Sequence, residues 1–379
     1  MLVEVDMLNR KNQISSETRT IMTALSLVVV FSILILTASV MAQSELSVPA
    51  EFVRELDPPG TSNSLLRPEQ VYIDKKFSEV YVTDTGNNRI AVFDTSGVFK
   101  FDFSGREEFG SPTDIVVSST GYIFVVGTSV RNGRSVFKFD YDGSYMGRLE
   151  VTSLPDSVRL DIIRISIDDS DNLYLLMGSN NLVVKVDGQG QYLGEFSILG
   201  DLTEKERREI ILGSPRIDAD FFYLPVPLLS NVYVYSLSGN FVRTIGNQGN
   251  KVGELNFPTA VDVIDHSIVV ILDKHRFNVV CFTTEGSVLG EFGGMGYSLG
   301  WFYHPQYLAT DKLGKIYISQ GYLSRVQVCG LPQFIAEKVK SSVSLPTSSQ
   351  VQPLLLEATK EEVSLEIQNS LMYSRSVSF

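Results

Sequence analysis

A turn that ends in glycine recurs along this chain at almost constant spacing. The turns end at Gly97, Gly143, Gly190, Gly239 and Gly286, which are 46, 47, 49 and 47 residues apart. An alternating or apolar run precedes each turn and a second run follows it, which predicts a β-hairpin at each site. A repeat of this length is one supersecondary unit that cannot bury its apolar face alone. The chain is therefore expected to fold as a ring or array of similar units.

A second marker has the same period. Four prolines each open a further apolar segment, and a large apolar side chain precedes each proline by three residues. The pairs are Phe109 and Pro112, Leu212 and Pro215, Leu255 and Pro258, and Phe302 and Pro305. A fourth strand completes each period. Four short strands in about 40–50 residues predict a propeller blade and not a helical solenoid.

Counting the starts of the innermost strands gives six blades. The starts lie near Arg67, Ser111, Arg159, Ser214, Phe257 and His304. The predicted fold class is all-β: a six-bladed β-propeller with four-stranded antiparallel blades. The sixth blade has three clear strands. Residues 51–56 resemble residues 240–245, the outer strand of blade four, and are expected to close the ring, with residues 334–336 as the alternative.

Residues 79–97 resemble an NHL repeat, in which a strand is followed by Asp, a polar turn, Arg and an apolar strand. The matching residues are Asp84, Asn87, Asn88 and Arg89, with looser matches at Arg276 and Arg325. Gly127 stands where the pattern has Asp. The resemblance covers residues 65–330 and implies a bacterial six-bladed propeller in which the motif is structural. It names no ligand.

The N-terminus predicts export from the cytoplasm. Basic residues precede a largely apolar, uncharged stretch over residues 21–36, and the small-residue pattern of residues 40–42 suits signal peptidase. Residues 1–42 are therefore expected to be a signal peptide, with Gln43 as the new N-terminus. The alternative is an uncleaved membrane anchor through residues 21–40. Either segment places the propeller outside the cytoplasm, in the periplasm or extracellular space. An uncleaved segment would anchor it at the inner membrane.

Domain boundaries follow from the same reasoning. The propeller is expected over residues 43–336. Residues 337–379 are rich in Ser, Thr, Val and Pro and lack the blade period, which predicts a mobile tail with one short helix over residues 353–369.

The composition argues against several functions. A net charge of −12 is unsuited to the phosphate backbone of nucleic acids. The three histidines, His266, His275 and His304, lie in different blades without metal-ligand spacing. No nucleophile elbow or phosphate loop is found. We expect no enzyme, no catalytic residue and no cofactor.

One alternative for the centre of the ring stays open. Asp114, Asp218 and Asp262 each follow the opening of a blade by a few residues. Carboxylates near the axis would suit a channel Ca²⁺, and a metal-dependent propeller lyase or lactonase is the alternative function.

What remains is the surface that carries the linkers between blades. The candidate binding residues there are Arg131, Lys274, His275, Trp301, Tyr303 and Tyr322. Aromatic and basic side chains dominate the energetics of interfaces. The sequence predicts a non-enzymatic binding or scaffold protein that holds a protein or polymer partner, with contact to a membrane only through residues 21–40 if they are uncleaved. A membrane-tethered sensor domain is a further alternative.

Overall fold

The computed structural model describes residues 48–337, apart from residues 61–62, 105–108, 130–132, 201 and 334. The described strands form six four-stranded antiparallel sheets, as the repeat predicts. All six sheets belong to one compact unit.

Strands that occupy the same position in their blades are grouped here, from the axis outward. The innermost strands are β2 (Pro68–Asp74), β6 (Gly110–Val117), β10 (Ile162–Ile167), β14 (Arg216–Asp218), β18 (Pro258–Ile264) and β22 (Tyr307–Thr310). The second strands are β3 (Glu79–Asp84), β7 (Ile123–Ser129), β11 (Leu173–Met177), β15 (Phe221–Val226), β19 (Ile268–Asp273) and β23 (Ile316–Gln320). The third strands are β4 (Arg89–Asp94), β8 (Gly133–Phe139), β12 (Leu182–Val186), β16 (Asn231–Ser236), β20 (Asn278–Thr283) and β24 (Arg325–Gly330). The outermost strands are β5 (Phe99–Phe103), β9 (Tyr145–Arg148), β13 (Tyr192–Ser197), β17 (Phe241–Ile245), β21 (Val288–Gly293) and β1 (Glu51–Leu56).

The ring is closed by the N-terminal strand. β1 pairs antiparallel with β24, from Glu51 opposite Gly330 to Leu56 opposite Val326. Leu56 is buried. The innermost strand β2 contacts both β6 and β22, so blade one touches blades two and six. The alternative segment does not supply this strand, because residues 335–336 are helical.

Two kinds of connection define two faces. The turns between second and third strands lie beside the linkers that join blades, as where the Gly86 amide donates to the Leu66 carbonyl at 2.8 Å. This side is the loop face. The remaining turns form the hairpin face. The repeated turn glycines lie there with positive φ, such as 84° at Gly97, a conformation that disfavours other residues.

The apolar residues that precede the prolines pack between sheets. Phe109, Leu212, Leu255 and Phe302 are all buried. Phe109 also explains the departure from the NHL pattern at Gly127. A Cβ at Gly127 would lie 2.7 Å from the Phe109 ring, so a side chain there would displace this packing.

One α-helix, Glu204–Glu209, interrupts the blades between β13 and β14. Thr203 caps it, and a reciprocal capping box with Glu206 is formed, as the sequence predicts. No helix in the described part of the chain has the length and hydropathy to span a bilayer. The predicted signal or anchor over residues 1–42 and the predicted helix over residues 353–369 lie outside the described residues, as does the tail beyond residue 337.

Candidate binding face

The NHL-like motif of blade one is a network of hydrogen bonds around the buried carboxylate of Asp84. Asp84 accepts the Leu66 amide at 2.7 Å, the Asn87 side-chain amide at 2.7 Å and the Arg89 Nε at 2.8 Å. Asn88 has φ of 52°, and its side-chain oxygen accepts the amide of Ser111 in the next blade at 2.8 Å. These contacts join the turn to the linkers on both sides.

An arginine in the motif region also contacts an acidic residue on the outermost strand in three blades. The pairs are Arg89 with Asp102 at 2.7 Å, Arg276 with Glu291 at 2.7 Å, and Arg325 with Glu55 at 3.5 Å. Arg276 stands two places before the position of Arg89 in the repeat, yet its guanidinium makes the equivalent contact. Glu55 comes from β1, so the closing strand supplies the acidic partner for blade six. The motif residues therefore bind the fold together and are not free for a ligand.

A cluster of aromatic rings lies on the loop face at blades five and six. We call it the aromatic cluster: Phe277, Tyr297, Tyr303, His304 and Tyr322. Tyr303 is at its centre, with ring centroids 4.4 Å from Tyr297, 4.5 Å from His304 and 5.3 Å from Tyr322. Tyr322 is 72% exposed and Tyr297 60% exposed. Such a group of exposed aromatic side chains is typical of a binding surface.

The structure brings together only part of the predicted binding set. Tyr303 and Tyr322 lie in the aromatic cluster. His275 stacks on Phe257 instead, with centroids 4.1 Å apart. Trp301 is half-buried, and its carbonyl accepts the Gln327 side-chain amide at 3.0 Å.

The remaining two predicted binding residues, Lys274 and Arg131, are not part of the aromatic cluster as it is described. The Lys274 side chain is half-buried, and its backbone amide donates to the Phe257 carbonyl at 3.0 Å. Arg131 lies outside the described residues.

Sequence reasoning missed three members of the cluster. Phe277 and Tyr297 gave no signal beyond being aromatic, and His304 was considered only as a possible metal ligand and as the start of an innermost strand. His304 lies in a bend, with φ of 46°. That conformation brings its ring against those of Tyr303 and Tyr322.

The carboxylates predicted near the axis do not converge. Asp114 accepts the amide of Ile165 in the next blade at 3.0 Å. Asp262 accepts the amide of Thr310 in the next blade at 2.7 Å, and its other oxygen pairs with Arg216 at 3.0 Å. Asp114 and Asp262 thus each connect their own blade to the next one by a hydrogen bond.

The third carboxylate lies on the hairpin face. Asp218 is 2.9 Å from the Nδ1 atom of His266, and this hydrogen bond raises the pKa of His266. Among the described residues, no three His, Cys, Asp or Glu side chains form a group suited to a metal ion.

Side chains from opposite blades meet across the channel. The contacts are the Gln70 amide with the Ser214 hydroxyl at 3.4 Å, the Arg216 guanidinium 5.5 Å from the Tyr72 ring, and Arg164 donating to the Tyr307 hydroxyl. They leave a cavity of about 20 Å³ lined by all six blades, which suits a water molecule. A small-molecule site would need about 300 Å³ or more.

Burial shifts the ionisation of groups around this channel. It raises the pKa of Asp114 to about 6 and the pKa of Tyr307 to about 12, and it also raises the pKa of Glu69. Arg164 acts in the opposite direction on all three, because its positive charge favours their ionised forms. These groups lie in a filled channel and not in an open cleft.

Comparison with known proteins identifies the fold. No protein-family model matches the chain, and no curated protein matches its sequence. Solved structures do match. A structural genomics protein of unknown function from Bacteroides thetaiotaomicron aligns with a TM-score of 0.53 at 12% identity, over 76% of this chain and 75% of that one.

Two further similar structures are lyases. A streptogramin B lyase aligns with a TM-score of 0.51 at 12% identity, over 74% of this chain and 97% of that one. A catalytically inactive virginiamycin B lyase from Staphylococcus aureus, with quinupristin, aligns with a TM-score of 0.50 at 14% identity, over 73% of this chain and 83% of that one. At these identities the likeness extends to the six-bladed β-propeller fold alone.

Proposed function

We propose that this protein is a non-enzymatic binding or scaffold module that holds a protein or polymer partner on its loop face. The aromatic cluster is the observation that carries the proposal. Its rings are held in place by one another and by the rigid blades, yet Tyr297 and Tyr322 remain largely exposed. A pre-organised aromatic surface loses little conformational entropy when a partner binds.

The filled channel supports the same proposal. The axis of a propeller is a natural place for a ligand, but here three pairs of side chains cross it. The buried carboxylates Asp114 and Asp262 are engaged by backbone amides. The exposed loop face is therefore the better candidate for recognition.

Two further inferences belong with this function. The first is that the blades are of the NHL type. The hydrogen-bond network around Asp84 and the repeated contact between arginine and an outer-strand carboxylate support it. The protein acts outside the cytoplasm, in the periplasm or at the outer face of the membrane, supported by the apolar stretch over residues 21–36.

Alanine substitution tests the binding face. Tyr303→Ala and Tyr322→Ala should each weaken capture of the partner by about tenfold or more, since interface aromatic residues contribute about 2 kcal/mol or more. The measurement is crosslinking and pull-down from the native host. Tyr141→Ala is the matched control, because Tyr141 is also 72% exposed but lies on the hairpin face.

Two results would contradict the proposal. Partner capture that is unchanged in the Tyr303→Ala and Tyr322→Ala variants would exclude this face. Stoichiometric Ca or Zn in the purified protein would favour the metal-dependent lyase or lactonase instead.

A further inference from the structure

The loop-face end of the channel is crossed by a contact between opposite blades. The innermost strands begin at the linkers between blades, so their first residues lie on the loop face. Arg164 of blade three donates to the Tyr307 hydroxyl of blade six, and its guanidinium lies 5.1 Å from the Tyr307 ring. Both residues stand one position before a residue that lines the channel cavity. They therefore lie between that cavity and the loop face.

A cluster of charged side chains lies at this end of the channel. Glu69 also stands one position before a cavity-lining residue. Burial raises the pKa of Glu69, and the positive charges of Arg164, Arg134 and Arg67 each act against that rise. Arg134 acts in the same direction on Tyr307, whose pKa burial raises to about 12. All three guanidinium groups are therefore within electrostatic reach of one carboxyl group. We call these five residues the channel mouth: Arg67, Glu69, Arg134, Arg164 and Tyr307.

The channel mouth adjoins the aromatic cluster. The Arg67 amide donates to the Ser324 hydroxyl at 3.3 Å, and Ser324 directly follows the short 3₁₀ helix that carries Tyr322. Tyr303, at the centre of the aromatic cluster, precedes Tyr307 by four residues. A partner held by the aromatic cluster can therefore also reach the channel mouth.

The cations of the channel mouth have free donors. Arg67 and Arg134 are exposed, and neither side chain has a hydrogen-bond or ion-pair partner among the described residues. Arg164 donates to a backbone carbonyl at 3.0 Å and to the Tyr307 hydroxyl, but its buried Nε atom has no partner in the same part of the chain. Within the described structure, Glu69 forms no ion pair with any of these arginines. Guanidinium N–H groups are therefore available to an acceptor on a ligand.

The charge balance at the channel mouth favours a single carboxylate as the ligand. The three arginines face two carboxyl groups, Glu69 and Asp114, because Arg164 also acts on Asp114. Burial raises the pKa of both carboxyl groups, so together they supply at most two negative charges. The surplus of positive charge is therefore at least one. One carboxylate balances it, whereas a phosphate group brings a charge of about −1.5 to −2.

We propose that the channel mouth binds a carboxylate group carried by the partner of the loop face. Arg67 and Arg134 donate to its oxygens from the exposed side, since a guanidinium presents its N–H groups in a fork that matches a carboxylate. Arg164 contributes its charge from the buried side, where water and salt screen it less. The contact between Arg164 and Tyr307 keeps the ligand from entering the channel. This inference names the chemistry of the partner and rests on the proposed function.

Chemical protection of arginine on the full-length protein tests this inference. Phenylglyoxal modifies exposed guanidinium groups, and peptide mass spectrometry reports the rate at each arginine. N-Acetylglycine, a peptide-like carboxylate, and glucuronate, a sugar carboxylate, should each slow the modification of Arg67 and Arg134 several-fold. N-Acetylglycinamide and glucose lack the charge and should not. Ionic strength is held constant with NaCl. Arg54, which is exposed on the outermost strand β1, is the internal control.

A substitution tests whether the two exposed arginines act together. Arg134→Gln should reduce the protection of Arg67 by the same carboxylates several-fold, because it removes one of the donors. Arg54→Gln is the matched control, since it also removes an exposed arginine, and it should leave the protection of Arg67 unchanged.

Equal modification rates with the carboxylates and with their neutral analogues would overturn the inference, and so would equal protection of Arg54. Stronger protection by inorganic phosphate at the same ionic strength would overturn the choice of a carboxylate. Protection by either carboxylate supports the inference, and the more effective one identifies a polypeptide or a polysaccharide as its source. Neither Tyr303 nor Tyr322 is altered and no partner is added, so failure here is distinguishable from failure of the proposed function.

Discussion

Single buried carboxylates connect neighbouring blades in this ring. Asp114 is fully buried on β6, and its oxygens accept the amides of Ile115 and Ile165. Burial raises its pKa to about 6, above the value of about 3.9 expected in an unfolded chain. The two amides and Arg164 offset part of the desolvation cost but not all of it. Asp114 therefore connects blades two and three, but its burial lowers the free energy of unfolding near neutral pH, where its carboxylate is ionised.

The raised pKa of Asp114 predicts a pH dependence of stability. A group with a raised pKa in the folded state binds its proton more tightly there. Its stabilising contribution is complete below about pH 4 and is lost as the pH rises through about 6. The free energy of unfolding of wild-type protein should therefore include a fall across this window, of up to about 1.4 kcal/mol per pH unit. Asp114→Asn should remove that fall, as measured by urea unfolding from pH 4 to about 7.

Asp94→Asn is the control for this experiment. A hydrogen bond from the Ser96 hydroxyl lowers the pKa of Asp94. Its contribution is therefore present at neutral pH and lost on acidification, the opposite sign. Identical pH profiles for wild-type protein and Asp114→Asn would contradict the assignment to Asp114.

Among the elements, β1 is the one that closes the ring. It covers the edge of β24, buries Leu56 and brings Glu55 to Arg325. Val48 and Ala50 form backbone hydrogen bonds with Gly293 and Gly300, at the two ends of the linker between blades five and six. One N-terminal strand thus completes a sheet, supplies half of an ion pair and shapes part of the loop face.

Removal of β1 should expose a reactive sheet edge. A chain that begins at Asp57 leaves the amide and carbonyl groups of β24 unpaired on one side, and such edges pair with other molecules. We expect lower stability and concentration-dependent self-association, measured by size-exclusion chromatography with light scattering. A chain that begins at Gln43 keeps β1 and is the matched control. A monomeric truncated protein as stable as this control would show that β1 is dispensable.

The elements could be predicted because their signals are local. The glycine turns require positive φ. Short apolar runs bounded by turns, such as residues 79–84, specify buried strands whatever the neighbours are. Even the closing strand was visible, because residues 51–56 resemble an outer strand elsewhere in the ring. Contacts such as Gln70 with Ser214 were not visible, since they join residues 144 apart that meet only when the ring closes. Only two of the five members of the aromatic cluster were predicted, for the same reason. Tyr322 and Tyr303 lie on expected loops, but their approach to Tyr297 depends on the path of the linker between blades five and six.

At the scale of the whole molecule, the channel is bridged between opposite blades. Arg164 of blade three donates to Tyr307 of blade six and lies over its ring at 5.1 Å. Tyr72 and Arg216 join blades one and four in the same way. Blades that are not neighbours in the ring are therefore in direct contact across the axis.

A double-mutant cycle measures this coupling. Arg164→Met and Tyr307→Phe should be non-additive by about 0.5–3 kcal/mol in the free energy of unfolding, because each removes the same contact. Urea unfolding of the two single variants, the double variant and wild-type protein supplies the four values. Arg164→Met combined with Tyr141→Phe, a distant exposed tyrosine, should be additive. Additivity within about 0.5 kcal/mol for the Arg164 and Tyr307 pair would show that the axis contact does not couple the blades.

The pairing of β1 with β24 also sets the order of events during folding. The strand that completes the ring is made first, and its partner is made last. Because Glu51 must find Gly330, closure is a long-range step with a high entropic cost, and such steps are slow. Until the last blade has emerged, β1 has no partner while five other blades can already fold. A chain that stops short of β24 can therefore never close, and its open edge would mark it for chaperones and proteases before it matures.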